Sequence, residues 1–236
     1  MNATVVELTA AQQRSQMALT SMLVDPLDAA WSVVNQNDPA SMSEYIASVV
    51  ALTKRFGLVS ANRSAAYYEA VRKAEGFTSS FHVPLAPTAP LDKVTTSVRW
   101  ATKDLWSPEP SIEEIKARVH AVTTKNVLDA GRMTVLNTAN RDRRSHGWAR
   151  EVEPGCCSFC AMLATRGAVY KSDQSASFEA HDHCHCIAVP TFSAYEPTAQ
   201  VREWQQLYKS STRGVRGSAN MRNAFRQAFD AANKTS

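Results

Sequence analysis

Apolar side chains return at intervals of three and four along most of the chain, the period of helices that bury one face. Residues 4–24 carry Val5, Leu8 and Ala11, then Met17, Leu19, Met22 and Leu23 on such a stripe, which predicts a helix ending near Pro26. Proline lacks the N–H that a first helical turn leaves unbonded, so Pro26 can open a second helix through Ala29, Trp31 and Val34. Asn37-Asp38-Pro39 is a turn signal. From Ser41 to about Gly76, Tyr45, Val49, Leu52 and Phe56 predict helix again, with Gly57 and Ser60 offering a break that would split it in two. These stripes carry no catalytic signature and read as a packed helical core.

Residues 76–91 interrupt the pattern with three prolines and no charge inside the flanks. A connection between helices is the simpler reading; an extended arm lying across a neighbouring subunit is the other. The histidine in it, His82, reads as a surface or packing residue. A short helix is expected from about Asp92 to Leu105, ended by Ser107-Pro-Glu-Pro110. Ser111-Ile-Glu-Glu114 is then a capping box, in which the Ser111 hydroxyl accepts from the Glu114 N–H. The helix it starts runs through Ile115, Val119, Val122, Val127, Leu128 and Val135, a spine over 111–140. Trp148 to Glu153 alternates weakly, the pattern of a short strand. Residues 196–236 form a helical tail with Val201, Trp204, Leu207 and Tyr208, then Met221, Phe225, Ala228 and Phe229.

Composition adds limits. No apolar run approaches the roughly 20 residues of a membrane span. The first residues lack a basic segment leading into an apolar one, so no signal peptide and no membrane role are expected. Synthesis in a cytosol, where thiols stay reduced, follows as an expectation. The net charge of +4 permits contact with nucleic acid without demanding it. It is unevenly spread: residues 1–53 hold one Arg against five acids, while residues from 197 onward hold seven Lys/Arg against two acids. Arg141, Arg143, Arg144 and Arg150, set against Asp142 and Glu151, read as a solvated basic face.

The most informative feature is the cysteines, all five of which lie between 156 and 186. The run Gly155-Cys156-Cys157-Ser-Phe-Cys160 is followed, after 20 intervening residues, by His181-Asp-His183-Cys184-His185-Cys186. Zinc takes four ligands tetrahedrally from thiolates and imidazoles. A Cys-x-x-Cys turn presents two sulfurs to one ion, and the second pair must come from elsewhere, so a metal would close the intervening loop. A turn or short helix after Cys157, Gly167 as its C-cap and a strand through Val169-Tyr170 would bring the chain round. The candidate ligands are Cys157, Cys160, His181, Cys184 and Cys186, with His183 a further choice. The rivals are a thiol–disulfide centre, a catalytic cysteine beside a histidine, and buried thiols with no ligand. A redox motif should follow a strand in a βαβ pattern, which is not visible. A catalytic zinc keeps an open position. Here so many good ligands, with Glu179 and Asp182 the only close acids, point to a closed structural Zn2+ site.

These residues resemble the phage Mu F-like minor head proteins, the head morphogenesis family. That family pairs a Cys-x-x-Cys with a short Gly/Val/aromatic turn, then His-Pro-x-Cys-x-Cys and a proline. The match is Cys157-Ser-Phe-Cys160, Gly167-Ala-Val-Tyr170, His181-Asp-His-Cys184-His-Cys186 and Pro190, with Asp182 where the family has proline. The stretch from Gly147-Trp-Ala-Arg150 to Arg166-Gly167 is similar to the actinobacteriophage version, often labelled a capsid maturation protease. The likeness is close over about 45 residues and loose over 111–230. It implies a minor virion protein at the portal vertex or head interior, made in the host cytoplasm and acting in head assembly. Its implied partners are the portal protein and the major capsid or scaffold protein, with packaged DNA reached through the basic tail. The alternatives are a protease processing head or scaffold proteins and an internal DNA-contacting or ejected protein. No Gly-x-Ser-x-Gly or His-Glu-x-x-His occurs, and His120 and His146 are candidate bases without an evident nucleophile. No catalytic residue is therefore assigned.

The expected fold is mainly α. It divides into an N-terminal helical region (1–76), a Pro-rich loop or arm (77–91), a helical region holding the spine (92–146), a zinc-stapled α+β Cys/His module (147–195) and a basic helical tail (196–236).

Overall fold

A computed structural model describes residues 3–152, 155–168, 178, 180–182 and 184–233. The chain is mainly helical, with a small two-stranded sheet and a Cys/His cluster towards its C-terminal side. Its elements are α1 (Ala3–Ser21), α2 (Val24–Trp31), α3 (Ser41–Ala74), α4 (Leu91–Ala101), α5 (Ile112–Arg141), β1 (Gly147–Glu151), α6 (Ser158–Ala164), β2 (Ile187–Thr191), α7 (Ala199–Ser211) and α8 (Ser218–Asn233). The expected strand through Val169-Tyr170 lies outside the described residues, as do His183 and Glu179.

Two long helices organise the rest. At 34 and 30 residues, α3 and α5 are each roughly 45–50 Å long. They run parallel, because Ser60 and Ser64 face Gly131 while Tyr68 and Arg72 reach Asp142. The Ser111 cap that starts α5 is present: its hydroxyl accepts from the Glu114 N–H at 3.4 Å. The expected break in α3 at Gly57 and Ser60 is absent, and the helix is continuous from Ser41 to Ala74. These small residues serve close approach instead. A Cβ on Gly57 would meet the Thr88 side chain at 3.0 Å, and one on Gly131 would meet both serine hydroxyls at 2.5 Å.

Parallel helices need a return path, and residues 77–90 supply it on this same chain. The segment is extended, buries Val83 and Ala86, and donates the Ala86 N–H to Thr134 Oγ1 on α5. Arg72 holds its start through the Phe77 and Ser79 carbonyls. It leads into α4, which runs back along α5 with a Lys93–Asp129 ion pair. His82 is exposed on it.

Helix α1 lies antiparallel to α3, and here the apolar stripe is misleading. Met17 and Met22 are exposed, whereas Thr9, Gln12 and Gln16 are buried. They bond Tyr67, Ser64 and Ser60 across the interface. A buried amide costs little when every polar group finds a partner.

Apolar side chains form two clusters along the α3–α5 pair. One joins α2, α4 and the first halves of α3 and α5 around Leu27, Tyr45, Val49, Val98 and Val119. The other joins the opposite halves to the sheet, α6 and α8 around Tyr68, Val135, Trp148, Leu163 and Phe225. β1 and β2 pair antiparallel, with Trp148 opposite Pro190. The tail is two helices, with Phe225 and Phe229 of α8 packed against Tyr208 and Trp204 of α7.

A candidate metal centre between two overlapping triads of ligands

The local chain folds so that ligands face one another. Cys157 sits as the N-cap of α6, one turn before Cys160. Helix α6 ends at Ala164, and Gly167 follows at φ +66°, a left-handed conformation that costs glycine least. On the other side, the turn closed by the Cys184 N–H to the His181 carbonyl delivers Cys184 and Cys186 just before β2. The β1–β2 pairing therefore fixes both halves of the centre relative to α5.

Five candidate ligands come together. Cys157, Cys160 and His181 form one triad and Cys160, Cys184 and Cys186 another, each with its ligand atoms within 4.8 Å of one another. Cys160 belongs to both. Its sulfur is 3.4 Å from His181 Nε2 and 3.5 Å from Cys184 Sγ. Zinc–sulfur and zinc–nitrogen bonds of about 2.3 and 2.0–2.1 Å give tetrahedral edges of about 3.8 Å between sulfurs and about 3.6 Å from sulfur to nitrogen. Those two contacts are within a few tenths of an ångström of such edges. Cys157 Sγ to His181 Nε2, at 2.8 Å, is the separation that would have to open. His181 Nδ1 lies against the Asp182 carbonyl, so that with Nδ1 as the donor its Nε2 lone pair points at the sulfurs, as a metal-bound imidazole requires. The cluster can hold a metal ion.

The thiols compete for charge. A hydrogen bond with Cys160 holds Cys157 down to about 5, and contact with Cys160 also holds Cys184 well below the usual thiol range. Cys160 is pushed far up by those same contacts. Burial opposes protonation of His181, but the Asp182 carbonyl and the nearby thiols raise it overall. Sulfurs this close cannot all ionise together unless a cation sits among them, and a divalent ion lets every ligand deprotonate.

Only Cys157 is exposed; Cys160, Cys184 and Cys186 are each 1% exposed. Cys156, next in sequence, is buried in the neighbouring apolar cluster and belongs to neither triad.

Four residues around the centre escaped the sequence reading. Arg132 on α5 donates from Nε to the Cys186 carbonyl at 2.9 Å and from its second arm to the Cys184 carbonyl. Arg150, expected on a solvated basic face, is 3% exposed with its guanidinium over the Phe178 ring at 3.7 Å. Phe178 also stacks on Trp148. Thr20 of α1 bonds His185 Nε2 at 3.1 Å. Of the remaining basic face, Asp142 is buried against Arg72, and Arg141, Arg143 and Arg144 are exposed, Arg144 over Phe77. The candidate bases stand apart from the cluster: His120 is 3.4 Å from Asp28, and His146 is exposed.

The model of the VG15 protein family matches residues 3–211. The chain belongs to the VG15 family. The name of that family points to a viral, phage-type protein. Comparison with curated proteins and with solved structures gives no match. The VG15 match covers the spine, the return strap and the whole ligand cluster and ends with α7, so α8 lies beyond it. No helix of the described residues is long and apolar enough to cross a membrane.

Proposed function

We propose that this VG15 protein is a minor structural protein of a tailed-phage head, docked on the portal or the capsid interior and acting in head assembly. Its Cys/His cluster holds a structural zinc ion through four of Cys157, Cys160, His181, Cys184 and Cys186. The observation that carries this reading is the convergence of two ligand-rich segments, distant in sequence, onto one point against the spine helix. Those are the segments whose pattern resembles the Mu F-like head proteins, within a family match that spans α1 to α7. A closed, largely buried ligand set fits a staple better than a catalytic ion, which keeps a position open to water. The partners are the portal protein and the major capsid or scaffold protein, and the protein resides in the virion.

The test is quantification of the protein in purified immature and mature heads, with co-purification on the portal and metal analysis of the isolated chain. Absence from both kinds of head refutes the structural role. Substoichiometric zinc, with melting unchanged in a strong chelator, refutes the staple.

One observation favours a second reading, a capsid maturation protease. Cys157 is the exposed thiol of the cluster and is 2.8 Å from an imidazole nitrogen, the spacing of an activated nucleophile. Co-expression with capsid and scaffold proteins separates the two. Cleavage that is lost in Cys157→Ser while the fold is kept supports the enzyme; no cleavage in the native chain removes it.

A further inference from the structure

Arg132 is a charge placed where the helix pattern calls for an apolar residue. It lies on the buried face of α5 with Leu128, Val135 and Leu136, and it is 3% exposed. Burying a guanidinium costs several kcal/mol unless its donors and its charge are both matched. One arm is held by Asp129 at 3.0 Å. The others go to the carbonyls of Cys184 and Cys186, and the flat guanidinium lies 4.9 Å from the centre of the Phe178 ring. A second buried arginine, Arg150, stacks on the same ring.

The two carbonyls belong to the Cys-x-Cys turn that supplies two of the five candidate ligands. A rigid fork donating to both fixes the turn's backbone and so the directions in which its sulfurs leave. Charge points the same way. A zinc ion with three thiolates and one imidazole carries a net charge of −1, and one with four thiolates carries −2. The Arg132 guanidinium, whose carboxylate partner Asp129 is shared with Lys93 and Lys125, stands beside that negative centre.

We propose that Arg132 is the positioning residue of the metal centre: its guanidinium fixes the Cys184–Cys186 turn through both carbonyls and sets a positive charge beside the metal–thiolate cluster. This rests on the zinc reading above. It also makes α5 part of the site, so that metal binding fastens the module to the spine and, through the Thr20–His185 bond, to the end of α1.

The test uses the full chain with Arg132→Met, which keeps the bulk, and Arg132→Lys, which keeps the charge but loses the fork. Zinc affinity is measured by competition with a chromophoric chelator, and the ligand field by the absorption of the cobalt-substituted protein. Arg132→Met is expected to bind zinc about 10–100-fold more weakly, the usual cost of losing a residue that orients ligands. Arg132→Lys should lie between it and the native chain. In both variants the rise in Tm on adding zinc should shrink and the cobalt spectrum should shift. A purely structural role would lower Tm equally with and without metal, leaving affinity and spectrum at native values, and that outcome overturns the proposal. If Arg132→Met does not fold, a native affinity and spectrum in Arg132→Lys overturns it equally. A native chain that binds no zinc or cobalt sinks the staple and this inference together. Native binding with unaltered variants sinks this inference alone.

Discussion

Gly131→Ala is the sharpest test of how the spine is assembled. In an exposed helix this change would stabilise by about 1 kcal/mol, because alanine loses less backbone freedom. At this position the new methyl would stand 2.5 Å from the hydroxyls of both Ser60 and Ser64 and 3.0 Å from the Ser60 carbonyl. The hydroxyls are not free to turn away. Ser64 accepts from Gln12 at 2.9 Å and from Gln16 at 3.2 Å, and Ser60 donates to Gln16 at 2.9 Å, all in buried surroundings. Displacing three such bonds costs about 3 kcal/mol at a net of about 1 kcal/mol each. Spreading α3 from α5 instead costs roughly 1–3 kcal/mol as overpacking. Set against the helix gain, the expected loss is about 2 kcal/mol, or about 4–8 °C of Tm for a chain of this size. Gly57→Ala is the internal control. Its methyl would meet a Thr88 side chain at 3.0 Å on the extended strap, which can shift, so its Tm should stay near native. Thermal and urea unfolding of both variants would decide. A Gly131→Ala protein as stable as the native one would mean that α3, α1 and α5 do not meet as described.

Three further outcomes are expected. Stripping metal with a strong chelator should lower Tm and open the segment from α6 to β2 to proteases, since structural zinc contributes roughly 10–16 kcal/mol of apparent binding free energy in small modules; unchanged digestion would contradict the staple. Arg72→Met should destabilise by about 3–5 kcal/mol in urea unfolding, because it strands the Asp142 carboxylate, 3% exposed at its side chain, in the core; a loss below 1 kcal/mol in the same measurement would show that water reaches this pair. The exposed cations of the tail, Arg213, Arg216, Arg222 and Arg226, allow contact with packaged DNA, and any such binding should weaken steeply with salt and fall in their Gln variants; no binding at low salt removes the DNA reading.

Helical period made α2, α4 and α5 legible, and the Ser111 box marked the start of α5 to the residue. What failed did so for long-range reasons. The break expected at Gly57 and Ser60 assumed that small residues interrupt a helix. In α3 they mark where Gly131 comes close to Ser60 and Thr88 to Gly57, a fact held by partners 71 and 31 positions away. The stripe drawn through Met17 and Met22 missed the buried Gln12 and Gln16, since a glutamine reads as surface until the serines that satisfy it are in view. β2 passed unnoticed because all its residues are buried, which erases the alternation that announces a half-exposed strand.

The centre divides the same way. Spacing pointed to Cys157, Cys160 and Cys186 and left a choice among His181, His183 and Cys184, since sulfur and imidazole in dense short-range patterns have few other purposes; among the described residues Cys157, Cys160, His181, Cys184 and Cys186 come together. It was silent on what surrounds them. Arg150 looked like one of four surface cations, and only the fold turns it inward onto Phe178. Arg132 is the instructive case, because its signal was present. Leu128, Val135 and Leu136 share its face of α5, so a long cation in that register had to be buried, and a buried cation requires acceptors and compensating charge. The chain offers the carbonyls of two candidate ligand cysteines as acceptors, beside a cluster of thiols that could hold a metal ion. The arginine least suited to the core of the spine is thus the one that ties the Cys184–Cys186 turn to it.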